Sequence, residues 1–189
     1  MNILLLGPKN SLIINFLESC NDSVTQVSKK INEDYVKSNN FNFLISYGYR
    51  YIIDEKVLKL FKNNAINLHI SLLPYNRGSD PNFWSFIDNT PKGVSIHLID
   101  KGIDTGDILF QKEVFFKSKN ETLHTTYETL QKTIQNLLIE KWLLIKNGQY
   151  KLSKQIGFGS YHNSNDKNKY NYLLEKDGWN TKISKLNIL

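Results

Sequence analysis

The order of apolar runs along the chain predicts an α/β fold: an open, mainly parallel sheet with flanking helices, in one compact domain. Three observations carry this reading. Ile3 to Leu6 is a continuous apolar run closed by Gly7-Pro8, the mark of a strand buried on both faces. Helical periodicities alternate with further apolar runs instead of following them in a block. One long amphipathic stretch begins at Leu123 and is long enough to lie across a whole sheet. The 189 residues suffice for one domain with a core and are few for two.

Each element has a local reason. After the first strand, a short helix is expected at about Ser11 to Ser19. Phe41 to Ser46 is a second apolar run and a candidate central strand. Asp54 stands where its carboxylate can cap the helix "EKVLKLFK", whose apolar face is Val57, Leu58 and Phe61. Ile66 to Ile70 reads as a strand, and "PNFWSF" as a short helix after a turn. "GVSIHLI", Gly93 to Ile99, alternates, so His97 shares a face with Ser95. Ile108 to Phe116 is a further strand. Ser118 and Glu121 fit a capping box for the long helix, in which Leu123, Tyr127, Leu130, Ile134, Leu137 and Leu138 recur at three and four. Asn147-Gly148 supplies its stop. The chain then turns polar, which divides it into a main body, residues 1–157, and a tail, residues 158–189, laid over that body.

Composition excludes several classes. The apolar fraction is 40% and the charged fraction 22%, as in ordinary globular domains. A single cysteine, Cys20, leaves no internal disulfide framework and fits a reducing compartment. No run approaches the roughly 18 apolar residues of a membrane span, and "NILLLG" is too short for a signal-peptide core, so a cytoplasmic location is expected. Net charge is +6, but residues 1–110 carry 11 basic and 11 acidic residues, and the surplus lies wholly behind them. A basic groove for nucleic acid is therefore not expected. Only two arginines, Arg50 and Arg77, occur among 24 basic residues, and both lie near the motif described next. Arginine is needed where a planar, bidentate donor fork matters.

That motif is "NLHISLLPYNRG", residues 67–78. On a strand, Asn67 and His69 point to the same face, toward the carboxyl end where ligands bind in open α/β sheets. Downstream, "IDKGIDTGDI" places Asp100, Asp104 and Asp107 on one loop, with Gly102 and Gly106 expected to give it tight turns of positive φ. An amide, an imidazole and a carboxylate converging on a cleft suit acyl transfer. The amide donates to a developing oxyanion, the imidazole takes a proton, and the carboxylate orients the imidazole. Taken singly, each has a bland alternative: a structural histidine, a turn asparagine, a loop aspartate. With one histidine and no second ligand at metal spacing, no metal site is expected. "GPKNS" is not a phosphate-cradling loop, and no Gly-x-Ser-x-Gly elbow occurs.

The two motifs together, "NLHISLLPYNRG" and "GVSIHLIDKGIDTGDI", resemble the formyltransferase family that uses N10-formyltetrahydrofolate. The resemblance covers roughly residues 40–115, and His69 to Asp104 spans the family's 35 residues. It implies a Rossmann-like formyltransferase fold, with Asn67, His69 and Asp104 catalytic. It also implies a folate site at Arg50, Ile52, Val57 and Ile103, although Ile52 and Val57 read equally as core residues. "LPYNRG" is similar to the enzymes acting on tRNA and on sugars more than to the purine transformylases. The expected absence of a further carboxyl-terminal domain points to the sugar enzymes. The implied partner is a dTDP- or UDP-linked amino-dideoxy sugar for surface glycan synthesis, with no nucleic acid and no membrane, and a homodimer is allowed. Formylation of glycinamide ribonucleotide or another small amine, or a non-catalytic anion-binding role, are the alternatives. Arg77 would grip the diphosphate, with Tyr75 or Trp84 packing base or sugar. Against this, Arg77 reads also as a partner of Asp80 or Asp100, and Trp84 as a core anchor. Two features depart from the family: the stretch before Phe41 is about one βα unit short, and the tail is not a β-hairpin or ankyrin-like extension.

Overall fold

The computed structural model describes residues 1–118 and 120–186. Four strands, β1 (Asn2–Leu6), β2 (Ser23–Val27), β3 (Phe43–Ser46) and β4 (Ala65–His69), run parallel in the order β2-β1-β3-β4. The sheet continues through β6 (Gly93–Leu98), antiparallel to β4, and β7 (Ile108–Glu113), antiparallel to β6. The short β5 (Arg77–Gly78) pairs apart from it with β8 (Tyr161–His162).

Side-chain alternation on β1 shows how the layers form. Ile3 and Leu5 pack with Ile13 and Leu17 of α1 (Ser11–Ser19) and with Leu130, Ile134 and Trp142 of α5 (Leu123–Lys146). Leu4 and Leu6 point the other way, onto Val36 of α2 (Glu33–Asn39) and Val57, Leu58 and Phe61 of α3 (Glu55–Phe61). A strand covered on both faces needs apolar residues at every position, which is what Ile3 to Leu6 supplies. On β4, Ile66 and Leu68 join the α1/α5 layer, while Ala65 joins the α2/α3 layer. Asn67 and His69 follow Ala65 on that second face, where the apolar cluster ends.

Several local expectations are corrected. The stretch before Phe41 holds a strand and a helix, β2 and α2, that the apolar runs did not disclose. "SVTQV" lacks an apolar run because β2 is an edge strand with Ser23 exposed. Asp54 precedes α3 but makes no side-chain cap bond; its backbone carbonyl accepts from Val57 instead. The capping box of α5 is formed by Thr122 and Thr125, one turn after Ser118. The stripe of α5 is buried as read at Leu123, Leu130, Ile134, Leu137 and Leu138, but Thr126 takes the place of Tyr127, which is 46% exposed.

Val57 is 1% exposed, within the α2/α3 layer, as its reading as a core residue has it. Trp84 likewise is 1% exposed. It lies in α4 (Pro81–Ile87), stacks on His162 at 3.8 Å, and anchors a third cluster with Phe83, Phe86, Leu123 and Leu186. Its ring is packed as a core anchor. Thr181 and Leu186 are buried, and Tyr170 packs on Trp84. The last three residues of the sequence-defined tail lie outside the described residues.

Candidate active site

Strand pairing assembles the site. Asn67 on β4 lies between Ser46 of β3 and His97 of β6, and His69 lies beside Ser95. The β6/β7 pairing slips between Ile96 and His97, an irregularity of the kind that re-aims side chains next to active sites. The loop between β6 and β7 brings the carboxylate. Asp100 ties that loop from within, its Oδ1 accepting from Gly102 N at 3.0 Å and Thr105 Oγ1 at 2.6 Å. Asp107 pairs with Lys154 at 2.8 Å. Of the three carboxylates, Asp104 alone faces the histidines.

Positive φ falls not on Gly102 or Gly106 but on Asp104 itself, at 53°. Asp tolerates this left-handed region better than most residues. Gly106 is needed for a different reason: a Cβ there would lie 1.9 Å from Leu98 O.

The hydrogen bonds fix proton positions. A carbonyl can only accept, so His69 Nε2 carries a hydrogen, donated to Asn76 O at 3.0 Å. Its Nδ1 then faces Asp104 Oδ2 at 3.6 Å. His97 Nδ1 donates to Leu98 O at 2.7 Å. Asn67 Nδ2 donates to Asp104 Oδ1 at 3.0 Å and lies 3.2 Å from His97 Nε2. Gly78 N donates to Asp104 Oδ2 at 2.9 Å.

Burial lowers the pKa of His69; the His97 ring adds to that, and Asp104 and the Asn76 carbonyl oppose it without reversing it. Burial alone would raise the Asp104 carboxyl. The adjacent His69, His97 and the Gly78 N–H outweigh it, so it is held well below the usual carboxylate range. The resting pair is a neutral His69 beside an ionised Asp104.

Asn67 and His69 are thus each within hydrogen-bonding or ion-pair reach of Asp104. His97, which the sequence left without a role, joins them, its Nε2 3.4 Å from Asp104 Oδ1. Nothing local to "GVSIHLI" announces this; it depends on a pairing across 30 residues. Ile103 and Ile52 are apolar side chains left 42% and 76% exposed. Arg50 is exposed and Tyr75 half-buried. Arg77 pairs with neither Asp80 nor Asp100. Its Nε and Nη2 donate to Gln155 Oε1 at 3.0 and 2.7 Å, while Asp80 takes Lys167 at 2.8 Å. Among the described residues, no group of three or more His, Cys, Asp or Glu side chains is arranged to hold a metal, and no helix is long and apolar enough to cross a membrane.

Comparison with known proteins bears on this geometry. The model of the formyl transferase family matches residues 13–142. The chain is 35% identical over 125 residues to methionyl-tRNA formyltransferase from Thermodesulfovibrio yellowstonii, covering 64% of this chain and 40% of that protein. A second relative of that description, from Finegoldia magna, is 37% identical over 86 residues, covering 43% of this chain and 28% of that protein. The chain therefore spans well under half the length of these curated relatives. Among solved structures, the formyltransferase PseJ from Anoxybacillus kamchatkensis, in complex with UDP-4,6-dideoxy-4-formamido-L-AltNAc and tetrahydrofolate, superposes with a TM-score of 0.94. It is 52% identical, covering 98% of this chain and 97% of that one. A sugar N-formyltransferase from Shewanella sp. FDAARGOS_354 superposes with a TM-score of 0.77 at 25% identity, covering 99% and 87%.

Proposed function

Since the chain belongs to the formyl transferase family, we propose that it moves the formyl group of N10-formyltetrahydrofolate to the amine of a nucleotide-linked amino-dideoxy sugar, with a UDP-linked 4-amino sugar as the first candidate. One observation carries the choice of acceptor. The similarity to the Anoxybacillus protein runs through nearly the whole of both chains, and the two molecules in that complex, a 4-formamido sugar and a folate without its formyl group, are the two products of such a transfer.

The co-substrate supplies an electrophilic formyl carbon on N10. Exposed Ile52 and Ile103 fit the role of apolar walls for its rings, with Arg50 at the rim.

The chain's own groups have separable tasks. The Asn76 carbonyl fixes the His69 hydrogen on Nε2, which leaves Nδ1 as the base for the proton lost by the attacking amine. Asp104 then stabilises the imidazolium formed there. Asn67 Nδ2 is committed to Asp104 and His97. Donation to the charge developing on the formyl oxygen therefore requires one of those bonds to be exchanged as substrate enters. The Gly78 N–H holds Asp104 meanwhile, so the carboxylate keeps its place when Asn67 turns.

The test is an acceptor panel: UDP- and dTDP-linked 3- and 4-amino sugars, and glycinamide ribonucleotide, each with N10-formyltetrahydrofolate and the purified chain. A mass gain of one formyl group on a nucleotide sugar supports the proposal. Gain only on glycinamide ribonucleotide, or on no amine at all, overturns it.

A further inference from the structure

We propose that Gln155 is a positioning residue for Asp104. The segment from Ser153 to His162 is then a strap that fixes the carboxylate loop against the turn that holds His69. Neither the sequence motifs nor the family match, which ends at residue 142, draws this segment into the site.

The Gln155 amide has two hydrogens and two acceptor positions, and all four are filled. Nε2 donates to Asp104 O at 2.8 Å and to Gly106 O at 2.8 Å. Oε1 accepts from Arg77 Nε and Nη2 at 3.0 and 2.7 Å. Full satisfaction fixes the orientation of the amide, because a flipped one would face carbonyls with its oxygen and the guanidinium with its N–H groups. The charged guanidinium strengthens the bonds to Oε1. Asp104 needs such a tie. Its backbone is left-handed, a conformation that persists in a non-glycine residue when surrounding bonds hold it.

The same strap grips the histidine side. Ser153 and Ile108 exchange backbone bonds at 2.8 and 3.0 Å, anchoring the strap at the start of β7. Ser160 O accepts from Arg77 N at 3.0 Å, and Ser160 Oγ from Asn76 N at 2.8 Å. The Asn76 carbonyl is the group that sets the His69 tautomer. Gln155 thus fixes one end of the His69–Asp104 pair and Ser160 the other. In this arrangement Arg77 serves Asp104 through Gln155, with two of its three guanidinium nitrogens engaged.

The experiment compares Gln155→Met, which keeps the bulk and loses every bond, with Gln155→Glu, which keeps the Arg77 contact and cannot donate to the two carbonyls. Its kinetic arm rests on the proposed function and uses UDP-4-amino-4,6-dideoxy-L-AltNAc as acceptor. Both variants should lower kcat, by up to about 100-fold for a displacement near 1 Å, with KM for either substrate unchanged. A second arm needs no activity: the titration of the His69 ring followed by NMR. Asp104 raises the His69 pKa, so loosening the carboxylate should move that titration to lower pH in Gln155→Met, which adds no charge of its own. A failed acceptor assay in the unaltered chain counts against the proposed function and leaves the titration to decide. Unchanged kcat, a KM rise for the nucleotide sugar alone, or a His69 titration that stays in place in Gln155→Met would overturn the positioning role.

Discussion

Asp104 is the residue through which the site is joined. It accepts from Asn67 and Gly78, faces His69 and His97, and takes Gln155 on its own carbonyl. Asp104→Asn keeps the shape and removes the charge, so His69 loses the partner of its imidazolium. A fall in kcat of at least about 100-fold is expected, the scale on which one charge-stabilising group at the reacting centre acts. A steady-state assay beside a thermal melt checks it. The His69 shift also sets a pH dependence. A histidine with a lowered pKa stays neutral to lower pH, so the acid limb of kcat/KM should lie below about 6.5, the ordinary histidine value. An acid limb well above that value would mean the proton acceptor is another group. The same sign holds for stability. The folded state binds its proton to His69 less readily than the unfolded chain does, so the contribution is full above the unfolded pKa. It falls as the pH drops below about 6.5, and Asp104 adds a further loss below about 4.

At the scale of elements, the long helix α5 is fastened to the sheet by one buried carboxylate. Asp22, between α1 and β2, accepts from Trp142 Nε1 at 2.9 Å and pairs with Lys146 at 2.7 Å. Asp22→Asn should destabilise the chain by about 1–3 kcal/mol, the cost of a charge-assisted bond replaced by a neutral amide. A denaturant melt measures it, and an unchanged midpoint would contradict the fastening. How much of this the sequence disclosed depends on the range of the interaction. β1, β3, β4 and the apolar stripe of α5 were legible, because burial on both faces or at helical spacing leaves a local pattern. β2 was not, because an edge strand carries no such pattern. Asn67, His69 and Asp104 were legible as motif residues. The shared role of His97, the tautomer fixed by Asn76 and the Gln155 strap were not, because each is a contact across many residues that only the folded chain creates. Trp84 stayed open for the opposite reason: an aromatic beside a motif reads alike whether it faces ligand or core.

At the scale of the whole molecule, the cluster sits at the carboxyl end of β4, on the face where the α2/α3 apolar cluster ends, and the residue 153–162 strap is tied to the β6–β7 loop. Chemistry and framework are therefore separable, and substitutions in the site should leave the layers intact. The central claim is that the His69–Asp104–Asn67 cluster performs formyl transfer to a nucleotide-linked amine. The measurement that tests it most directly is a single-turnover formyl transfer from N10-formyltetrahydrofolate to UDP-4-amino-4,6-dideoxy-L-AltNAc, run with the unaltered chain and with His69→Ala, each verified as folded. The account predicts one formamide formed per active site with the unaltered chain and a rate lower by at least about 100-fold with the variant. Equal rates in the two would contradict it.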